Sequence, residues 1–155
     1  MGERADAAVS LPDLTLVILT PDGVTFKQSN AKEFSCIKHL IIICGHYEGF
    51  DERIKTLADY EISIGDFILT GGEIPAMAIS DAIIRLLPGV INESSLESES
   101  FNDDLLDYPS YTKPQEYRGM RVPEVLLSGD HAKIDAWRKE QRKNKTKEKR
   151  PDIME

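Results

Sequence analysis

Cysteine is scarce in this 155-residue chain: only Cys36 and Cys44 are present. Two thiols cannot build a disulfide framework, and Cys44 closes the apolar run "LIIIC", where a small buried thiol is expected. No apolar run approaches the roughly 20 residues that span a bilayer. The opening "MGERADAAVSLPD" has no basic segment followed by an apolar one, so no secretory signal is read there. A cytoplasmic protein without membrane association is expected. Missing too are G-x-G-x-x-G, G-x-x-x-x-G-K-[ST] and G-x-S-x-G, which removes the common dinucleotide, P-loop and serine-hydrolase signatures. Cys44-x-His46 has no second pair at zinc spacing, so no metal site is expected, and His46 reads as a pocket-lining or turn-capping residue.

Composition is that of a globular protein, 41% hydrophobic and 30% charged, with a net charge of −8. That charge is uneven. Residues 1–100 hold 7 Lys and Arg against 16 Asp and Glu, a net of −9, whereas 101–155 hold 12 against 11, a net of +1. The stretch 136–150, "AWRKEQRKNKTKEKR", carries 8 basic and 2 acidic residues. It reads either as a solvated helix end or as a local phosphate contact on an otherwise acidic protein.

The pattern along the chain is α/β to about residue 91. Leu14–Leu19 predicts a buried strand that ends at a Pro-Asp-Gly turn, and residues 39–44 a second strand buried on both faces, as in a parallel sheet. A short helix is expected near 29–36, capped by Ser29 or Asn30, and another after Asp51. "EISIG" and "FIL" predict two further short strands. Residues 73–87 predict a helix with Pro75 in its first turn and Pro88-Gly89 as its stop. Polar "INESSLESESFNDD" reads as a linker. Beyond it, Pro109, Pro114 and Pro123 break the chain into extended or turn segments, and a helix starts at the N-cap Asp130 with Ile134, Trp137 and Arg138 on one face.

Three loops follow apolar strands: 20–23 "TPDG", 44–49 "CGHYEG" and 63–72 "SIGDFILTGG". Each alone is an ordinary turn. Together they lie where open α/β sheets bind ligands, beyond the carboxyl ends of the strands. Glu73 at the start of the following helix suits the helix dipole but repels a phosphate. The glycines therefore suggest main-chain approach to a flat, neutral or cationic ligand, a description an adenosyl sulfonium meets. Arg85 near the helix end reads as a dipole partner or as a hold on an electron-rich base edge. Glu93, Glu97 and Glu99 read as a solvated acidic loop or as the source of a general base.

"CGHYEGFDERI", "SIGDFILTGGEIPAM", "DAIIRLLPGV", "LLDYPSYTKP" and "VPEVLLSGDHAKIDAWR", in this order, closely resemble bacterial tRNA (guanine-N1)-methyltransferases of the TrmD family from about Leu14 to Glu155. The resemblance implies a SPOUT-type α/β fold: a parallel sheet with a deep trefoil knot, here partial, and a small helical C-terminal domain that binds tRNA. The expected division is residues 1–91 for the cofactor domain, 92–100 for a linker and 101–155 for the helical domain.

It further implies a homodimer that transfers a methyl group from S-adenosylmethionine to N1 of the guanine 3′ of the anticodon, position 37. Family cofactor contacts fall on Pro21, Gly45, Tyr47, Glu48, Ser63, Ile64, Gly65, Phe67, Leu69, Gly71 and Gly72. Arg85 matches the arginine that orients the guanine, and Glu99, in "SESF", stands where the family has its catalytic aspartate. Ser110 and Lys113 stand where histidine and arginine are common. The family also carries about one more sheet-building segment, with a Gly-rich substrate loop, than is found before Leu14, and a longer C-terminal end. A catalytically inactive cofactor-binding or dimerising fragment is the alternative expectation. A nucleotide-binding module outside this family, preferring ATP or NAD, is a third.

Overall fold

Leu14–Leu19 is apolar at nearly every position, and a strand of this kind is stable only where both faces are covered. The computed structural model, which describes residues 13–96, 99–101 and 103–154, places it at the centre of a three-stranded parallel sheet. β1 (Leu14–Thr25) lies between β2 (His39–Ile43) and β3 (Tyr60–Ser63), in the order β2-β1-β3. Leu14 pairs with His39 and Ile18 with Ile43 on one side; Val17 pairs with Tyr60 on the other. Val17 and Ile18 are fully buried.

Three sequence expectations change here. β1 does not end at Leu19. Residues 20–23 bulge out of the ladder, Leu19 and Val24 both face Ile62, and the strand resumes to Thr25. A Pro-Asp-Gly segment signals a turn locally, but the pairing that recaptures the chain is with β3, far away in sequence. β2 is an edge strand rather than a fully buried one, with Ile41 45% exposed. Phe67–Leu69 forms no strand: those side chains stand exposed in the loop after β3, where no ladder is available to them.

The helices follow their local signals more closely. α1 (Gln28–Phe34) is an exception at its start: its N-cap is Lys27 rather than Ser29 or Asn30, and Asn30 instead accepts a hydrogen bond from the Lys27 N–H at 2.9 Å. α2 (Glu52–Lys55) starts at Asp51, whose carboxylate accepts from the Arg53 N–H at 2.9 Å. α3 (Glu73–Ile84) carries Pro75 in its first turn, with turns continuing beyond its end at Arg85. The core gathers Val17, Leu19, Ala31, Phe34, Ile62, Ile79 and Ile83, so α1 and α3 pack on the sheet through one face each. Phe34 meets Tyr60 edge to face, ring centres 5.0 Å apart.

The chain divides into two compact units, residues 1–91 and 92–155. The second opens with a short helix, α4 (Glu93–Leu96). A two-stranded antiparallel hairpin follows, β4 (Glu116–Tyr117) and β5 (Met120–Arg121), with α5 (Glu124–Leu127) and α6 (His131–Lys149) after it. The hairpin was not foreseen: its two-residue turn places both Arg118 and Gly119 at positive φ, +52° and +78°, and only the glycine signals that. Asp130 caps α6 as expected, accepting from the Lys133 N–H at 3.2 Å.

The basic run 136–150 is almost wholly helical, and it is not uniformly solvated. Arg142 is buried. Its Nη1 and Nη2 grip the Asp103 carboxylate at 3.0 and 2.5 Å, and its Nε donates to the Leu106 carbonyl at 3.2 Å. Fully buried Thr146 accepts from the Leu106 N–H at 2.9 Å, and Lys145 donates to the Asp107 carbonyl at 2.9 Å. Segment 103–107 is thereby strapped to α6. Lys139, Lys143 and Lys147, four residues apart, remain exposed along one stripe.

Candidate functional site

The loops after β1's first half, after β2 and after β3 converge on a cavity of about 280 Å³ in the first unit. Pro21 comes from the bulge in β1. Gly45, Tyr47 and Glu48 come from the β2 loop, and Ser63 through Gly72 from the segment that leads into α3. All eleven residues singled out as cofactor contacts line this one cavity, as do His46, Phe50, Ile68, Thr70 and Pro75. His46, Ile68 and Thr70 belong to the loops 44–49 and 63–72 already expected at the site, whereas Phe50 and Pro75 lie outside the loops named from sequence.

The loops are held by main chain. The Gly72 N–H donates to the Gly45 carbonyl at 2.9 Å, and His46 and Gly71 form an antiparallel bridge. The glycine at 72 is required by the chain itself: a Cβ there would stand 2.8 Å from Cys44 Cα. Close approach at Gly72 thus occurs between chain and chain. Gly65, at φ +142°, takes a conformation that side chains rarely adopt and lets the loop turn beneath Phe67. Ser63 ties that turn, its hydroxyl accepting from the Gly65 N–H at 3.2 Å.

The walls combine apolar side chains with the hydroxyls of Thr20, Ser63 and Thr70, the His46 imidazole and one carboxylate, Glu48. Among the described residues no lysine or arginine lines the cavity. At its edge His46 Nε2 contacts the Glu73 carboxylate. The Glu73 carboxyl is held below its usual range, first by its own backbone N–H at the helix start and then by His46. Burial, reinforced by the Glu73 charge, pushes the Cys44 thiol upward. Below the bulge, Lys55 of α2 donates to Asp22 at 2.8 Å. That bond, with a second from Thr20, holds the Asp22 carboxyl at about 2.

The two residues read as catalytic lie in different units. Arg85 is the C-cap of α3, half-buried, its N–H donating to the Asp81 carbonyl at 3.1 Å. Glu99 is half-buried in the second unit, in a loop fastened just after it. The Ser100 hydroxyl accepts from the Asp107 N–H at 2.9 Å, and the Phe101 N–H donates to the Leu105 carbonyl at 2.8 Å. Of the other linker acids, Glu93 opens α4 and Glu97 lies outside the described residues. Among the described residues no cluster of three or more His, Cys, Asp or Glu could hold a metal, and no helix is long and apolar enough to cross a membrane.

A family model described as tRNA (Guanine-1)-methyltransferase TrmD matches residues 2–155. A tRNA (guanine-N(1)-)-methyltransferase of Malacoplasma penetrans is 62% identical over 139 residues, covering 90% of this chain and 62% of the relative. The Staphylococcus epidermidis protein of the same name is 56% identical over 142 residues, 90% of this chain and 58% of the relative. That of Metamycoplasma arthritidis is 54% identical over 154 residues, 98% and 68% respectively. The chain thus spans about six tenths of the length of most of the curated relatives it matches.

Proposed function

Because this chain belongs to the tRNA (guanine-1)-methyltransferase TrmD family, we propose that it takes part in transfer of a methyl group from S-adenosylmethionine to N1 of the guanine at position 37 of tRNA. The observation that carries this reading is the single cavity formed by the three strand-end loops. Its donor set fits the cofactor. Among the described residues the lining has main-chain polar groups, apolar side chains, hydroxyls, His46 and one carboxylate but no lysine or arginine, which disfavours a phosphate and suits an adenine ring beside a sulfonium. Pro21, Gly45, Tyr47, Glu48, Ser63, Ile64, Gly65, Phe67, Leu69, Gly71 and Gly72 would hold it.

When bound, that cofactor supplies an electrophilic methyl group. Glu99 serves as the general base that removes the guanine N1 proton, freeing the nitrogen lone pair for attack. Arg85 donates to the electron-rich edge of the guanine and so fixes its orientation. The second unit brings tRNA through its phosphates, a role supported by the exposed stripe Lys139, Lys143 and Lys147.

The family's deep knot and two-subunit site are part of this reading. The close crossing of Gly45 and Gly72 supports the first. The exposed apolar stripe Ile74, Met77 and Ile84 on α3 supports the second, since an uncovered face of this kind suits a second copy. The deciding assay measures methyl incorporation into tRNA transcripts with guanine or adenine at position 37. Incorporation with guanine alone, slowed at least about a hundredfold in Glu99→Gln while cofactor affinity is kept, is the expected result. Cofactor binding without incorporation by the wild-type chain would reduce the reading to a cofactor-binding fragment, and near-normal turnover of Glu99→Gln would remove that residue as base.

A further inference from the structure

The second unit contains its own cavity, of about 650 Å³, within the range of roughly 300–1,000 Å³ typical of small-molecule sites. Its apolar lining comes from Val122, Leu126 and Ile134, and its aromatic lining from Tyr108 and Tyr111. Arg138 joins them, with its guanidinium 4.7 Å from the centre of the Tyr108 ring. One nitrogen of that guanidinium lacks a partner among the described residues, while the side chain is 41% exposed. Its Nε is buried with no hydrogen-bond partner among the described residues, and its nearest carboxylate, on Asp135, stands 3.6 Å from Nη1, beyond hydrogen-bond reach. Lys113 adds a second cation to the lining, and Ser110 and Gln115 add neutral donors and acceptors.

An apolar lining, aromatic rings, a stacked guanidinium and a polar rim are the groups that receive a flat heteroaromatic ring bearing acceptor atoms. We propose that this cavity seats one unpaired nucleobase of an RNA strand. The base stacks on the Tyr108–Arg138 side, and its phosphate is drawn to Lys113. A strand is favoured over a free nucleotide because α6, which carries Arg138, also carries the exposed lysines at 139, 143 and 147, suited to neighbouring phosphates. The inference rests on the reading that the chain acts on tRNA, and deepens it by adding a contact to a base, besides those to phosphates, within the second unit.

Trp137 is the chain's only tryptophan and lies 6.4 Å from Tyr111, a lining residue, so its emission reports entry into this cavity. The full chain is titrated with an unstructured RNA heptamer, with adenosine 5′-monophosphate and with ribose 5-phosphate, and tRNA binding is measured separately by filter retention. A saturable Trp137 response to the heptamer is expected, with none to ribose 5-phosphate. Tyr108→Leu should weaken heptamer binding by about tenfold, the loss typical of one stacked base, while Tyr108→Phe retains it. Leu127→Glu, at a half-exposed lining position, should weaken it similarly by setting a negative charge at the cavity.

Equal affinity of wild type, Tyr108→Leu and Leu127→Glu for both heptamer and tRNA would overturn the base pocket while leaving tRNA as substrate. A ribose 5-phosphate response matching that of the nucleotide would overturn it in favour of a simple anion site. Tighter binding of the free nucleotide than of the heptamer would overturn the RNA assignment. A heptamer response without tRNA binding would support the cavity and sink the tRNA reading on which its role depends, and no binding of either would remove both.

Discussion

Replacing Arg142 by methionine tests whether the strap on segment 103–107 is as strong as its geometry implies. The aliphatic stem survives, so little packing is lost, but the two bonds to Asp103 and the one to Leu106 disappear. Breaking a fully buried ion pair costs about 3–5 kcal/mol, whereas an exposed pair contributes about 1 kcal/mol or less. Here Arg142 has only 11% of its side chain exposed and Asp103 51%, so water can rehydrate one partner. An intermediate cost of about 2 kcal/mol follows. For a unit of this size each kcal/mol lowers the melting temperature by about 4–8 °C, so a drop of about 10 °C is expected. Trp137, on the same helix, provides the fluorescence readout. Arg142→Lys should recover little, because an ammonium cannot reproduce the planar fork. A double-mutant cycle with Asp103→Asn should show coupling of more than about 1 kcal/mol. A fall below about 2 °C in Arg142→Met, or strictly additive single effects, would refute the reasoning. Because the strapped segment accepts and supplies the bonds that hold the Glu99 loop, the variant should, under the proposed function, also slow methyl transfer without weakening S-adenosylmethionine binding.

Three further outcomes are expected. Gly72→Ala places a methyl group 2.8 Å from the Cys44 main chain, so the loops must separate; a loss of about 1–3 kcal/mol with failure of calorimetric S-adenosylmethionine binding is expected, and unchanged affinity would dismiss the tight crossing. Lys55→Met should return the Asp22 carboxyl from about 2 towards its ordinary 3.8, read by NMR titration of the carboxyl carbon. In the wild type the Asp22 contribution to stability is complete above about pH 4 and fades as the pH falls through about 2, while that of Lys55, whose ammonium is raised above 10.5, holds to about pH 10 and fades only beyond it. Cys36, exposed, should be alkylated faster by iodoacetamide than Cys44, whose thiol is half-buried and shifted upward by burial and Glu73; mass spectrometry showing equal rates would contradict that environment.

What could be read from the sequence by itself is what neighbouring residues decide. Asp51 and Asp130 announce their helices because a cap is satisfied within three residues, and Pro75 and Glu73 mark the first turn of α3 for the same reason. The three strand-end loops were legible as one site because such loops of a parallel sheet open on the same edge, and the eleven residues that the family resemblance implies all line that cavity. Other features depend on partners far along the chain. β1 continues past its Pro-Asp-Gly bulge because Val24 and Thr25 meet Ile62 and Ser63, and Gly72 must be glycine because Cys44, 28 positions earlier, lies against it. Within one basic run, Arg142 is buried on Asp103 while Lys139, Lys143 and Lys147 stay in water. Charge alone marks all four residues alike. Only the tertiary structure separates them, because burial depends on which distant segment folds against each face of the helix.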